Sequence, residues 1–248
     1  MNDPVFDPRP EDAEAAAALF GDRLPLAIEY ARRLGTDGVV RGLIGPREAD
    51  RVWDRHLLNC AAIGDLIPSG ASVTDVGSGA GLPGIVLAVA RPDLTVVLVE
   101  SLARRTDFLT EVVADLGLDN VSVVRIRAED AVGTVRPADV ITARAVAPLD
   151  RLAACCLPLT RVGGRLLALK GATAGDEVAE HRAAVARLGG AEPVVHTCGT
   201  RLLDAPTTVV EVVRERNVAP ASRKARSGNS ARKSSGTGSG SRSGRPGS

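Results

Sequence analysis

Four glycines, Gly77, Gly79, Gly81 and Gly84, punctuate the segment VTDVGSGAGLPGIVLAVA between two apolar runs. The pattern reads as strand, glycine loop and helix, with Pro83 placed to start the helix. Glycine lets a backbone approach a ligand closely and adopt positive φ, and the first N–H groups of the following helix face the same point. Gly77 and Gly79 are therefore candidate contacts to a nucleotide-like ligand. The run Gly79-Ala-Gly81-Leu-Pro-Gly84 also satisfies the dinucleotide pattern GxGxxG, so a nicotinamide-dependent oxidoreductase is one reading. Asp75, just before the loop, weighs against it: a carboxylate there suits a cationic amino-acid ligand, with capping of the next helix as its alternative role. Glu100, ending the second apolar run, is placed to accept from ribose hydroxyls. After the third run, Ala128-Glu129-Asp130 offers a backbone N–H and a carboxylate to an adenine edge, a solvated helix start being the alternative. Three stations at three successive strand ends fit S-adenosylmethionine better than a nicotinamide cofactor.

These stations need a scaffold. From residue 72, short Val/Ile/Leu runs alternate with helical segments, and strands are expected at 72–76, 95–99, 121–126, 138–142, 165–170, 194–198 and 207–213. Seven strands with helices between most of them make a doubly wound α/β fold, a mostly parallel seven-stranded sheet of Rossmann-like type. Residues 199–206 are too few for a helical crossover, which permits an antiparallel hairpin at the sheet edge. Residues 1–68 read as helices packed on the α/β domain of 69–216. Asp22 is placed to cap one helix with Pro25 in its first turn, and Pro46 opens a longer one whose inward stripe is Trp53, Leu57, Cys60, Ala61 and Gly64. No apolar run approaches the roughly 18 residues of a membrane span. The start, MNDPVFDPRPEDAE, is acidic where a signal peptide would be basic and then apolar, so a cytoplasmic protein is expected. Cys60, Cys155, Cys156 and Cys198 show neither CxxC spacing nor a disulfide framework, and reduced, mostly buried thiols with no metal site are expected.

With these segments in order, the sequence resembles the glucose-inhibited division protein B family, the 16S ribosomal RNA guanine-N7 methyltransferases. The matching pieces are RVWDRHLLNC, TDVGSGAGLPG, VESLARRTDFL, RAED, TARAVAPL and LLALKG. The resemblance implies a class I methyltransferase fold and S-adenosylmethionine contacts from Gly77, Leu82, Ala128, Glu129 and Arg144. It also implies a target guanine in the decoding-region loop of the small ribosomal subunit. Asn59-Cys60 stands where many members carry Asp-Ser.

Guanine N7 carries a free in-plane lone pair, so its methylation needs alignment and no general base. The place after the fourth strand reads Ala143-Arg144-Ala145-Val146, unlike the Asn/Asp-Pro-Pro-aromatic tetrad of enzymes that methylate exocyclic amines. Cys155 and Cys156 fall inside a predicted helix and read as core, not as nucleophiles. Arg144, at that strand end, has a planar fork suited to guanine O6 or a phosphate, the alternative being an ion pair with Glu129 or Asp130. Lys170 is the second cationic candidate beside the acceptor, or a structural lysine. His56 shares a polar helix edge with Arg55 and Asn59, either as an RNA contact or as a satisfied structural group. An alternative for the whole chain is a non-catalytic RNA-binding assembly module.

Charge is unevenly divided. Residues 217–248 hold seven basic and no acidic side chains and are expected to be disordered, while the rest holds 24 basic against 30 acidic. RNA affinity must then come from local groups, Arg32, Arg33, Arg41, Arg47, Arg51, Arg55, Arg104 and Arg105 among them, together with the tail. Truncation after Arg216 is expected to make the slope of log affinity against log salt shallower by roughly 2–3 units if three or four tail cations engage phosphates at once. RNA binding by the two forms across a salt series checks this, and matching slopes would assign RNA binding to the folded arginines alone.

Overall fold

A computed structural model of the chain describes residues 6–144 and 147–218. Of the expected tail, 217–248, all but residues 217 and 218 lies outside the described residues. The chain enters through helix α1 (Ala13–Phe20), a 3-10 turn and α2 (Leu24–Arg33). Pro25 does lie in the first turn of α2, but Asp22 caps nothing: the 3-10 turn Gly21–Arg23 runs straight into the helix. The long helix expected from Pro46 is a broken one. It comprises α3 (Pro46–Ala49), a π turn (Trp53–Leu57), α4 (Leu58–Ala61) and a closing 3-10 turn (Ala62–Leu66). Glu48 fixes its start by accepting the Gly45 N–H at 2.9 Å. The inward stripe of Trp53, Leu57, Cys60, Ala61 and Gly64 is buried throughout. Trp53 lies edge-on to Phe20 and donates its indole N–H to the Phe6 carbonyl at 2.9 Å, which makes it a core residue.

Seven strands follow: β1 (Ser72–Val76), β2 (Thr95–Glu100), β3 (Val121–Arg125), β4 (Ala138–Arg144), β5 (Thr160–Lys170), β6 (Val194–Cys198) and β7 (Thr207–Val213). They form one sheet in the order β3-β2-β1-β4-β5-β7-β6. β1 to β5 are parallel, and β7 runs antiparallel between β5 and β6, as the short 199–206 connection allows. Helices α5 (Gly84–Ala90), α6 (Ala103–Asp115), α7 (Leu149–Cys156) and α8 (Ala174–Arg187) link the strands. β5 starts five residues earlier than the sequence suggests, because Gly163-Gly164 reads as a turn yet continues the strand through a register shift against β4. A Cβ at Gly164 would lie 2.6 Å from the Asp139 carbonyl, so only glycine passes there.

Side chains alternate across the sheet, which separates two cores. Val73, Val96, Leu98, Val140, Leu167 and Val209 pack with α1, α2, α4, α5 and α6, whereas Val99, Ile141, Leu166, Ala168, Val210 and Val212 pack with α7 and α8. The N-terminal helices thus share a core with the first half of the sheet, and Arg41 secures them to α6 through Glu111 at 3.1 Å. Of the cysteines, Cys60, Cys156 and Cys198 are buried free thiols and Cys155 is half-buried. Among the described residues no helix is long and apolar enough to cross a membrane, and no three His, Cys, Asp or Glu side chains gather as metal ligands.

Close approach of α5 to β1 and β2 depends on Gly84, whose Cβ would meet Leu98 Cδ2 at 2.3 Å and Asp75 Oδ2 at 2.8 Å. Gly84→Ala is expected to lower unfolding free energy by about 1–3 kcal/mol through overpacking, read from the denaturant midpoint. Gly175→Ala, in α8 where a Cβ meets nothing within 4 Å, is the matched control and is expected to hold or raise stability.

Candidate active site

The register brings the candidate residues to one edge of the sheet. Asp75 on β1 lies opposite Leu98 on β2 and Thr142 on β4. Two residues further on, Gly77 sits between the ends of those strands at Glu100 and Arg144. Beyond Arg144 comes Leu169 on β5, followed by Lys170. Strand order reverses between β1 and β4, the position where open α/β sheets leave a crevice for ligands at the carboxyl ends of their strands.

The glycines divide by what surrounds them. Gly77 and Gly79 have φ of 72° and 58°, and a Cβ on either would meet no atom closer than 3.8 Å. Gly81, by contrast, is hemmed in by Ile85 and Tyr30, and Gly84 by Leu98 and Asp75. Gly77 and Gly79 therefore border open space that could admit a ligand, while Gly81 and Gly84 serve packing.

Glu100 stands beside this cradle, 4 % exposed, and accepts the N–H groups of Gly79, Ser101 and Leu102 at 3.0, 2.8 and 3.0 Å. Arg105 adds a fourth donor at 3.3 Å. Burial alone would raise this carboxyl, but the backbone donors and Arg105 outweigh it and hold it below the ordinary glutamate range. Ala128 and Glu129 follow β3 in a short 3-10 turn (Ala128–Asp130), half-buried and exposed respectively, with Asp130 exposed beside them.

Asp75 departs from expectation. It is fully buried beneath the loop, accepting from Thr142 Oγ1 at 3.0 Å and from the Gly84 N–H at 3.2 Å. A ligand ammonium has no access to it, and the helix-capping alternative describes its place. Burial pushes its carboxyl up to about 6 in spite of those donors. The Leu82 side chain likewise packs in the core, 4 % exposed.

Arg144 is exposed at the end of β4 and makes no ion pair with Glu129 or Asp130 among the described residues. Its Nη1 donates instead to His56 Nδ1 at 2.8 Å. His56 is buried, 5 % exposed, in the π turn, away from the solvated edge that Arg55 and Asn59 occupy, and the polar group it meets is the Arg144 guanidinium. Burial and the adjacent Arg144 charge pull the His56 imidazole down to about 4, which keeps it neutral and able to accept. Lys170 is also no free cation. Its ammonium donates to the Ala147 carbonyl at 2.6 Å and to Glu177 Oε1 at 2.8 Å, which ties β5 to the loop before α7 and to the first turn of α8. These two bonds are those of the structural alternative. A cavity of about 1000 Å³ opens beside these groups, lined among others by Arg55, Asn59, Arg144, Lys170, Glu177 and Thr207.

Thr142 and Tyr30, which hydrogen-bond Asp75 and the glycine loop, were not singled out from the sequence, and Arg105, read there as one of the arginines for RNA, pairs instead with Glu100. Thr142 and Arg105 stand in segments already recognised, so their signal was position alone. Tyr30 lies fifty residues from the loop it touches.

Comparison with known proteins decides the family. The profile of the GidB family, rRNA small subunit methyltransferase G, matches residues 23–204. The chain belongs to this family. It is 67 % identical to the ribosomal RNA small subunit methyltransferase G of Salinispora tropica, over 86 % of this chain and 91 % of that protein. It is 55 % identical to the namesake from Corynebacterium efficiens, over 82 % and 88 % respectively. Among solved structures, the apo form of the S-adenosylmethionine-dependent methyltransferase SibL superposes with a TM-score of 0.55 at 16 % identity, covering 82 % of this chain and 71 % of that one, a likeness of fold. Membership of the family sets aside the dehydrogenase reading of the glycine pattern. The matched stretch crosses residue 68, so the N-terminal helices from α2 onward carry family sequence as well as the sheet.

His56 gives this methyltransferase a specific acid response. Between about pH 6.5, where an unfolded histidine titrates, and its folded value of about 4, only the unfolded state takes up the proton, so stability falls as pH falls through that window. Asp75, raised to about 6, acts oppositely, since in the acid range the folded state holds the extra proton. Comparison of wild type with His56→Gln isolates the first effect. The gap in unfolding free energy between them is expected to shrink as the pH is lowered from 7 to 5 in denaturant titrations, and a gap independent of pH would show that His56 is not held neutral.

Proposed function

We propose that the chain transfers the methyl group of S-adenosylmethionine to N7 of a guanine in 16S ribosomal RNA, acting in the cytoplasm on the small ribosomal subunit or its RNA. The observation that carries this reading is the juxtaposition at the strand switch of an open glycine cradle with an arginine held by a neutral, buried histidine. S-adenosylmethionine, when bound, supplies an electrophilic methyl on a sulfonium. The cradle fits such a ligand: Gly77 and Gly79 leave room for it, Glu100 faces the loop as the ribose station, and Ala128 with Glu129 stands at the adenine side. Asp75 and Leu82 act from beneath, by fixing the loop.

Arg144 borders both the cradle and the acceptor cavity. His56 accepts one of its N–H groups, which orients the fork and leaves its remaining donors for guanine O6, a phosphate or the cofactor carboxylate. Lys170 holds the Ala147 carbonyl and so fixes the backbone just before α7. Proton abstraction is not required at N7, and what these residues supply is alignment.

Tritiated methyl transfer to small-subunit RNA, naked and assembled, tests the reading, with the modified base located by mass spectrometry. Label at guanine N7 is expected, and label elsewhere or none would overturn it. Arg144→Lys keeps the charge but loses the fork, and kcat/KM is expected to fall about ten- to hundredfold while thermal unfolding stays cooperative. Near-normal turnover would reduce Arg144 to a point charge.

A further inference from the structure

We infer that Tyr30 is a positioning residue of the donor site, a latch by which the N-terminal helices set the conformation of the glycine loop. Tyr30 is the chain's only tyrosine, lies on α2 and is 1 % exposed. Its hydroxyl donates to the carbonyl of Ala80 at 2.8 Å. The latch rests on the reading of that loop as the S-adenosylmethionine cradle.

The loop's other anchors all come from its own strands. Gly77 and Ser78 donate their N–H groups to the Val99 carbonyl at 2.9 and 3.2 Å, and Ser78 Oγ returns to the Asp75 carbonyl at 2.9 Å. Gly79 donates to Glu100 on β2. These bonds fix the rising limb of the loop. Ala80, at its crest, is held through its carbonyl by a group from outside the sheet, Tyr30. The fit is close: a Cβ on Gly81 would lie 2.8 Å from the Tyr30 hydroxyl and 2.6 Å from Ile85. Gly81 is therefore required by the latch and by α5, unlike Gly77 and Gly79, which face open space. Burial raises the Tyr30 phenol well above its ordinary value, so the hydroxyl keeps its proton and remains a donor. A buried hydroxyl and carbonyl satisfied by one another are costly to separate, so movement of α2 away from the sheet is coupled to the cradle.

Tyr30→Phe keeps the ring packing and removes only the hydrogen bond. In the full-length protein this substitution is expected to weaken binding of S-adenosylhomocysteine about five- to thirtyfold by calorimetry, with the KM for RNA within about twofold of wild type. A side chain needed only for packing would leave that affinity unchanged. Because Tyr30 is the sole tyrosine, biosynthetic incorporation of 3-fluorotyrosine gives one fluorine resonance that reports on the latch without mutation, and this resonance is expected to shift when S-adenosylhomocysteine is added. If the phenylalanine variant does not fold, the fluorine signal decides. Unchanged affinity in a folded Tyr30→Phe protein, or a fluorine resonance that stays put at saturating ligand, overturns the latch. Failure of the wild type itself to bind S-adenosylhomocysteine would overturn instead the cofactor reading beneath it.

Discussion

Asp75 sits at the one point where three elements of the fold must agree. Its own strand supplies it, β4 reaches it through the Thr142 hydroxyl, and α5 begins on it through the Gly84 N–H. A carboxylate removed from water is tolerated only when hydrogen bonds replace its hydration, and here they do so at both oxygens. Those same bonds hold β1 to β4 where the strand order turns back, and they set how closely the helix approaches the sheet. The positions of Gly77, Glu100 and Arg144 along the ligand-facing edge follow from that alignment. The charge nearest the cradle from below is thereby spent on architecture, and the groups left facing outward are Arg144 and the loop's own backbone.

The helices before the sheet do more than cover one of its faces. They bury their apolar side in the core that β1 and β2 also use, and two of their side chains reach groups at the strand ends. His56 reaches Arg144, and Tyr30 reaches Ala80. Both are neutral groups in nearly dry surroundings, where a hydrogen bond restricts geometry more than it adds net stability. The donor loop and the arginine beside it are thus held from two directions, by strands on one side and by the helical segment on the other.

Much of this was legible in the sequence. All seven strands, the glycine loop and the antiparallel hairpin follow from local periodicity and from the length of one connection, and Glu100 and Arg144 stand at the strand ends where that reading puts them. The misreadings share a physical cause. Asp75 was assigned to the ligand because its place in the chain suits a ligand contact, but only the depth of the strand beneath the loop shows that it is sealed off. His56 was placed on a polar edge because an ideal helical period puts it there, and a π turn rotates it inward to a partner 88 residues away. Lys170 ends its strand as expected, yet two of its donors go to Ala147 and Glu177, contacts set by how the chain before α7 and helix α8 fold back. The early start of β5 was hidden by glycines that mark a turn in most settings and here permit close passage against Asp139. Long-range hydrogen bonds and local departures from ideal period leave no mark on spacing.

The strand order also bears on how the chain is made. β7, the last strand in sequence, lies inside the sheet between β5 and β6, so β6 reaches the rest of the sheet only through it. During synthesis β6 emerges first and has no strand to pair with until residues 207–213 have followed. Until then β5 presents an open edge, apolar on both faces, of the kind that invites pairing with other chains. The parallel portion, β1 to β5, together with its flanking helices can assemble earlier, with the glycine loop already inside it. Completion of the sheet is a late event that waits on a seven-residue strand near the end of the described residues, and nascent chains that stop short of it would carry the glycine loop on an unfinished, adhesive scaffold.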